Sequence, residues 1–307
     1  MLHENPTTLR ISRSQSLNSP STNEFQLRRD VHLAKLRETV RHTSDPNIFV
    51  SGTSANLLYG FDAYPHTATL TFHHRQQRRG TRTIGKKYGP QATYQVSYSH
   101  YDLPPQAYVT FQQQRILSIP ALVIDHLRSK NPYQAIANAE AVLRGYLHPH
   151  PEFRQQSEAA CHQLLLEVDK LLHESTYRYK QRIRKRLPLL SPWSESIGES
   201  AMKVGLTLAG IPLPQQQLTI FANGQYYRPD AVWPDLHIIC EFDGRLKYGD
   251  LTGKLVLIKE KEREDNLRML YPTFIRILWK QAHDANYMAS LRRFFPPHVL
   301  LPIQDTL

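Results

Sequence analysis

Cysteine is nearly missing from this 307-residue chain, which has only Cys161 and Cys240. A disulfide framework is thereby excluded, and because Cys240 lies inside an apolar run, a reducing cytoplasm is expected. Long apolar runs are missing too. No stretch approaches the roughly 20 residues of a membrane helix, and the N-terminus has no apolar signal core. We therefore expect a soluble, unexported, cytoplasmic protein with no membrane partner. Acid is scarce relative to base: 27 Asp and Glu against 38 Lys and Arg give a formal charge of +11, with a pI near 9.6. That balance favours a polyanionic partner, without by itself separating DNA, RNA and anionic lipid. The length allows two domains, each with its own core.

The chemistry concentrates between Gln217 and Arg276. Two β-rich runs, Gln217–Phe221 and Gln225–Trp233, flank Asn223-Gly224, which tolerates the positive φ angles of a two-residue hairpin turn. A third run, His237–Phe242, has no polar alternation before Glu241, as expected of a strand buried on both faces. It ends in two acids, Glu241 and Asp243, and Asp230 lies near the end of the hairpin. Burying carboxylates is costly unless a cation or donor compensates, which suggests a metal site. Alternation puts Glu241 on the face of His237 and Ile239, with Cys240 and Phe242 on the other. Asp230 and Glu241 then converge from neighbouring strands, with a backbone carbonyl from Phe242, on a hard cation such as Mg²⁺ (or Mn²⁺). In the plainer alternative Asp230 and Asp243 only cap turns.

The strings YRPDAVW, CEFDGRLKYGD and EKEREDNLRML occur in that order, with a Pro-Asp separated by ten residues from Glu-x-Asp-Gly. They resemble restriction-endonuclease-like nucleases of the PD-(D/E)xK type, those related to very-short-patch repair endonucleases. More closely, they are similar to bacterial proteins in which that domain follows an abortive-infection type IV antitoxin (AbiEi-like) region. The resemblance implies an α/β fold with a mixed α+β sheet, and an αβββαβα core over residues 191–307. It also implies metal-dependent hydrolysis of DNA phosphodiesters in phage defence or repair, and a cognate toxin as a further partner. A non-catalytic, antitoxin-like DNA-binding regulator that keeps the nuclease fold is the alternative. By the same resemblance Glu199 is the helix acid that faces the metal site or reaches it through water, the plainer reading being an exposed helix glutamate; Asp230 and Glu241 are the first two motif acids, and Gln217 matches a recurring glutamine. The third motif position, usually Lys, is Asp243. The cation that orients the attacking water must then come from elsewhere or be missing, with Lys247 and Lys261 as candidates; Lys261, Asp265 and Arg268 would form one polar stripe on a helix, or merely a chain of surface ion pairs.

Residues 24–190 are expected to be a mainly helical AbiEi-like region with a small β-rich part. Residues 1–23, rich in Ser, Thr, Asn and Pro, read as a disordered tail, and Phe25–Val40 as one amphipathic helix. VSGTSANLLYGF (50–61) is similar to the AbiEi-like element in which Ser-Gly opens a short helix that closes on a second Gly. One helix precedes it, so no winged helix is carried over. The runs ATLTF, ATYQVSYS and AYVTF surround a basic insert with Arg75, Arg78, Arg79, Arg82, Lys86 and Lys87, either a solvated loop or a phosphate-contacting one. Ile116–Leu147 reads as two helices broken around Pro132. Phe153–Leu187 reads as one long helix ending in Arg178, Lys180, Arg182, Arg184, Lys185 and Arg186, a cluster that could guide DNA or simply complement the helix dipole. Pro188 and Pro192 mark the domain boundary. Oligomeric state is not encoded in any of these signals.

Overall fold

The computed structural model describes residues 7–10, 16–19, 24–65, 69–76, 79–84, 93–176, 179–244 and 251–307. Contacts divide the chain into two units, Met1–Ser129 with His162–Arg184, and Lys130–Cys161 with Lys185–Leu307. Both mix helices with sheet. The segment Lys130–Cys161, which sequence placed before a boundary at 190, packs with the C-terminal unit instead.

In the first unit, β1 (Thr7–Arg10) and β2 (Ser16–Ser19) pair antiparallel, where composition had suggested a disordered tail. Helix α1 (Glu24–Arg41) follows close to its expected bounds. The β part is larger than expected. Strands β3 (Ile48–Val50), β4 (Thr69–His74), β5 (Gly80–Ile84), β6 (Tyr94–Ser99), β7 (Tyr108–Phe111) and β8 (Gln114–Leu117) form one mixed sheet, ordered β5-β6-β4-β3-β8-β7. Part of the basic insert is therefore an edge strand, because β5 lies at the end of the sheet and pairs antiparallel with β6 from Tyr94 to Tyr98. Between β3 and β4 the 50–61 motif forms α2 (Gly52–Tyr59), closed by Gly60 at φ 90°. Its small polar residues tie it down. Ser54 Oγ accepts the Thr71 N–H at 2.8 Å and meets His32 at 2.8 Å, while Asn56 bonds the Asp62 carbonyl and His126. Gly52 sits at φ 52° with a virtual Cβ only 2.9 Å from Thr71 Oγ1, so a side chain there would separate α2 from β4. Helix α3 (Ile119–Leu127) completes this core, buried from Ala121 to Leu127.

The second unit begins with α4 (Pro132–Leu147), capped by Asn131, and the first turns of α5 (Arg154–Glu174). The expected long basic helix is broken: α5 stops at Glu174, and α6 (Lys180–Arg186) is separate. Then come α7 (Ile197–Leu208), β9 (Gln215–Gln216), the hairpin β10 (Ile220–Ala222) and β11 (Gln225–Tyr227), β12 (Ala231–Trp233) and β13 (Ile238–Asp243). Helix α8 (Leu251–Arg268), β14 (Thr273–Leu278), α9 (Trp279–Ala282) and α10 (Ala285–Ser290) follow. Asn223 and Gly224 turn the hairpin with φ of 46° and 77°, the conformation that pair was chosen for.

The sheet order is β14-β13-β12-β9. Strands β13 and β14 are parallel and joined through α8, and the other pairs are antiparallel. Strand β13 is buried on both faces. Ile238 and Cys240 pack with Ala201, Met202 and Leu206 of α7, whereas Ile239 joins Val232, Ile220 and Leu267 of α8. Helix α4 locks onto α7 through a fully buried ion pair, Glu140 with Lys203. Glu140 also accepts the Ser191 N–H and the Ser194 and Ser200 hydroxyls at 2.8, 2.8 and 2.6 Å, which satisfies its lone pairs.

Candidate active site

Strand β13 carries Glu241 out of the core at the end where α7 begins. Ser196 caps α7 by accepting the Glu199 N–H at 3.1 Å, and Glu199 turns back so that its Oε2 accepts the Glu195 N–H at 2.8 Å. This bends the Glu199 carboxylate inward, to 6 % exposure, rather than leaving it on the helix surface. Gly198 makes the approach possible: a Cβ there would lie 2.0 Å from the Phe242 ring, so only glycine lets the first turn of α7 rest on β13.

Gln217 follows β9 in the left-handed region, at φ 51°. Arg154 of α5 holds that turn by donating to the carbonyls of Gln216 and Gln217 at 3.0 and 3.3 Å. The Gln217 Nε2 then donates both to Glu199 Oε2 at 3.2 Å and to Asp230 Oδ1 at 3.3 Å, so one amide spans two acids. Asp230 precedes β12, and its Oδ2 accepts the Phe242 N–H at 2.8 Å. Since Ala231 faces Cys240, continuing the register one step sets Asp230 beside Glu241. Glu241 is 8 % exposed and takes Arg263 Nη2 of α8 at 2.5 Å.

Negative charge here outweighs the cation. Burial, then the charge of Glu199, pushes Asp230 up to about 7, against the opposing pull of the Phe242 N–H and Arg263. Burial also raises Glu199, partly offset by the Glu195 N–H and its other donors. Carboxylates so held are the kind of oxygen set that accepts a hard divalent cation, and a half-protonated one near neutrality can exchange protons with water. Among the described residues no group of three His, Cys, Asp or Glu side chains is close enough to be a ready-made metal cage. Glu241 is held by Arg263 and Glu199 by the main chain at its helix start.

Other expected site residues fall elsewhere. Asp243 is the last residue of β13, on the Glu241 face by alternation. Phe242 contributes its N–H to Asp230, and its ring packs under Gly198. Lys247 lies outside the described residues. Lys261 is exposed, on the side of α8 away from buried Leu267. In place of the Lys261–Asp265–Arg268 stripe, Arg268 pairs with Glu264 at 2.7 Å, and Glu264 with Arg276 at 2.8 Å. Arg263 was not foreseen. It lies four residues before Leu267, on the same helix face, and that spacing is the signal that would have found it.

The basic residues separate similarly. Arg78 and Arg178 lie outside the described residues. Arg79 is exposed, while Arg82 on β5 donates to the Tyr98 hydroxyl at 3.0 Å. Arg182 donates to the Arg128 carbonyl at 3.3 Å, and exposed Arg184 lies 3.8 Å from Asp169. Arg186 is fully buried and donates twice to the main-chain oxygen of Leu307, at 3.1 and 2.7 Å. It is therefore a packing residue and not a phosphate contact. Among the described residues no helix is long and apolar enough to cross a membrane. Comparison of the chain with protein-family models, curated proteins and solved structures finds no match.

Proposed function

We propose that the C-terminal unit is a metal-dependent nuclease of the restriction-endonuclease-like class that hydrolyses DNA phosphodiesters. The observation that supports this most directly is the acid cluster: Glu199, Asp230 and Glu241 are brought to one end of β13, Gln217 bridges two of them, and Asp230 is pushed to about 7. Asp230 and Glu241 would hold Mg²⁺ or Mn²⁺, with Glu199 beside them. Such an ion supplies Lewis-acid stabilisation of phosphoryl charge and lowers the pKa of bound water. The chain's own groups do the rest. Gln217 and the Phe242 N–H fix the Asp230 carboxylate, Asp230 can take a proton near neutral pH, and Arg263 provides a guanidinium next to Glu241 where the motif lysine is replaced by Asp243.

A second reading has its own support. The Arg263–Glu241 ion pair and Asp243 in the usual lysine position both suit a site that keeps the fold as a DNA-binding regulator without chemistry. The deciding experiment is cleavage of single-stranded, duplex and mismatched DNA with Mg²⁺, Mn²⁺ or EDTA. Metal-dependent cleavage that is lost in Asp230→Asn and Glu241→Gln supports the nuclease. Tight binding without cleavage of any substrate selects the regulator.

A further inference from the structure

The first unit contains a cavity of about 480 Å³ that the proposed nuclease site does not use. This lies within the range of about 300–1,000 Å³ of small-molecule sites. Three of its walls are tyrosines, and each is paired with an arginine. Arg82 lies over the Tyr98 ring at 5.5 Å, Arg128 over Tyr101 at 4.4 Å, and Arg182 over Tyr179 at 5.4 Å. Arg79 and His100 also line the cavity.

The walls are held from behind. Tyr101 is buried and donates its hydroxyl to Asp125 at 2.8 Å, and Asp125 also takes Arg128 at 3.3 Å and the Gly52 N–H at 2.9 Å. Asp102, a carboxylate in the lining, is engaged by the Thr176 hydroxyl at 2.7 Å. Directly behind Tyr101 is His73, set edge-on at 4.6 Å, fully buried and with no hydrogen-bond partner at Nδ1. The polar and aromatic groups are thus fixed before any ligand arrives, which lowers the ordering cost of binding.

Guanidiniums beside aromatic rings place several N–H donors around the cavity for phosphate oxygens, and tyrosine faces accept a planar base. Tyr179 and Arg79, both in the lining, are exposed. We infer that this cavity binds a nucleoside 5′-phosphate, with the base among the tyrosines and the phosphate against Arg79 and the flanking guanidiniums. The ligand is either a free nucleotide or the 5′-phosphorylated end of a strand, since the chemistry recognised is the same.

The test is calorimetric titration of the full chain with each ribo- and deoxynucleoside 5′-monophosphate, the matching nucleosides and inorganic phosphate, together with short oligonucleotides carrying a 5′-phosphate or a 5′-hydroxyl. At least one monophosphate or 5′-phosphorylated oligonucleotide should bind about tenfold or more tightly than its dephosphorylated counterpart and than phosphate alone. A preference confined to oligonucleotides assigns the source to strand ends, and one confined to monophosphates assigns it to free nucleotides. Arg79→Ala and Tyr179→Ala, both at exposed positions, should each weaken binding by about tenfold or more. Glu241→Gln should leave it unchanged, which separates this site from the acid cluster whatever that cluster does. Absence of binding at millimolar ligand, or binding untouched by both cavity variants, overturns the inference.

Discussion

Asp230→Asn should stabilise the protein at pH 8 and do little at pH 3.5. In the folded chain the Asp230 carboxyl is raised from 3.8 to about 7, first by burial and then by the Glu199 charge. Between those values the folded state keeps a proton that the unfolded chain has released. The stability this contributes is therefore complete below about pH 4 and is lost as pH rises through 7. At about 1.4 kcal/mol per pKa unit the loss amounts to no more than about 4 kcal/mol. Asparagine removes the repulsion from Glu199 and Glu241 yet still accepts the Phe242 N–H. With metal removed by EDTA, we expect a gain of about 1–4 kcal/mol at pH 8, or roughly 2–4 °C in the unfolding midpoint per kcal/mol. At pH 3.5 Asp230 is protonated in the folded chain and mostly so in the unfolded one, and the two proteins should melt within about 1 kcal/mol of each other. Mg²⁺ or Mn²⁺ at ten times its dissociation constant should raise the wild-type midpoint at pH 8 by about 1.4 kcal/mol equivalent, and the Asn variant by less. Thermal scans at the two pH values, with EDTA and with metal, read every arm. Destabilisation at pH 8, or equal shifts at both pH values, would refute the charge argument, and a metal response identical in the two proteins would refute the ligand assignment.

Gly198→Ala should cost about 1–3 kcal/mol and reduce any cleavage, because the new Cβ drives α7 off Phe242 and displaces Glu199; chemical denaturation beside a nuclease assay checks both. Arg263→Met should lower turnover by about 10² to 10³ if the guanidinium stabilises phosphoryl charge, whereas Lys261→Met at an exposed position should leave it unchanged. In the regulator reading neither variant has turnover to lose. Lys203→Met should destabilise by about 3–5 kcal/mol, since it leaves Glu140 buried without its cation. Arg182→Ala with Arg184→Ala should flatten the salt dependence of DNA binding if those residues neutralise phosphates, while Arg186→Ala should act on thermal stability alone through the lost bonds to Leu307.

The acids and the strands that carry them were legible because strand periodicity is strict. Once His237–Phe242 is read as a strand, the face of every residue follows, and Asn223-Gly224 marks the hairpin; the strand observed is Ile238–Asp243. The helices were less legible in their facing. In the second half of α8, residues 259–268, eight of ten positions are charged, so the sequence offers several polar stripes, and only the burial of Leu267 against Val232 and Ile239 selects the one holding Arg263. Arg186 misled for a related reason. In a run of alternating Arg and Lys, one guanidinium is buried by a residue 121 positions away, and no local pattern reports that contact. The basic insert hid strand β5 because nearly every residue of that strand is exposed, so no apolar alternation marks it and only its pairing with β6 identifies it.

The C-terminal unit contains its own control for the metal reading. Where it buries an acid for structure alone, at Glu140, it supplies a lysine in direct contact, a backbone N–H and two hydroxyls. At the end of β13 the acids Glu199, Asp230 and Glu241 are offset among the described residues by one guanidinium, that of Arg263 on Glu241, with the remaining donors being neutral groups, main-chain N–H, the Gln217 amide and the Ser196 side chain. Three carboxylates against one cation leave an excess of negative charge that a divalent ion would balance, and Asp230 near 7 is how the chain accommodates the excess by protonation. A purely structural cluster would gain from converting an acid to its amide, whereas one kept for metal binding would lose function by the same change. Asp230→Asn therefore separates the two cases. More stability with no loss of metal response or cleavage marks a structural cluster, and more stability together with their loss marks a site whose charge is retained for chemistry.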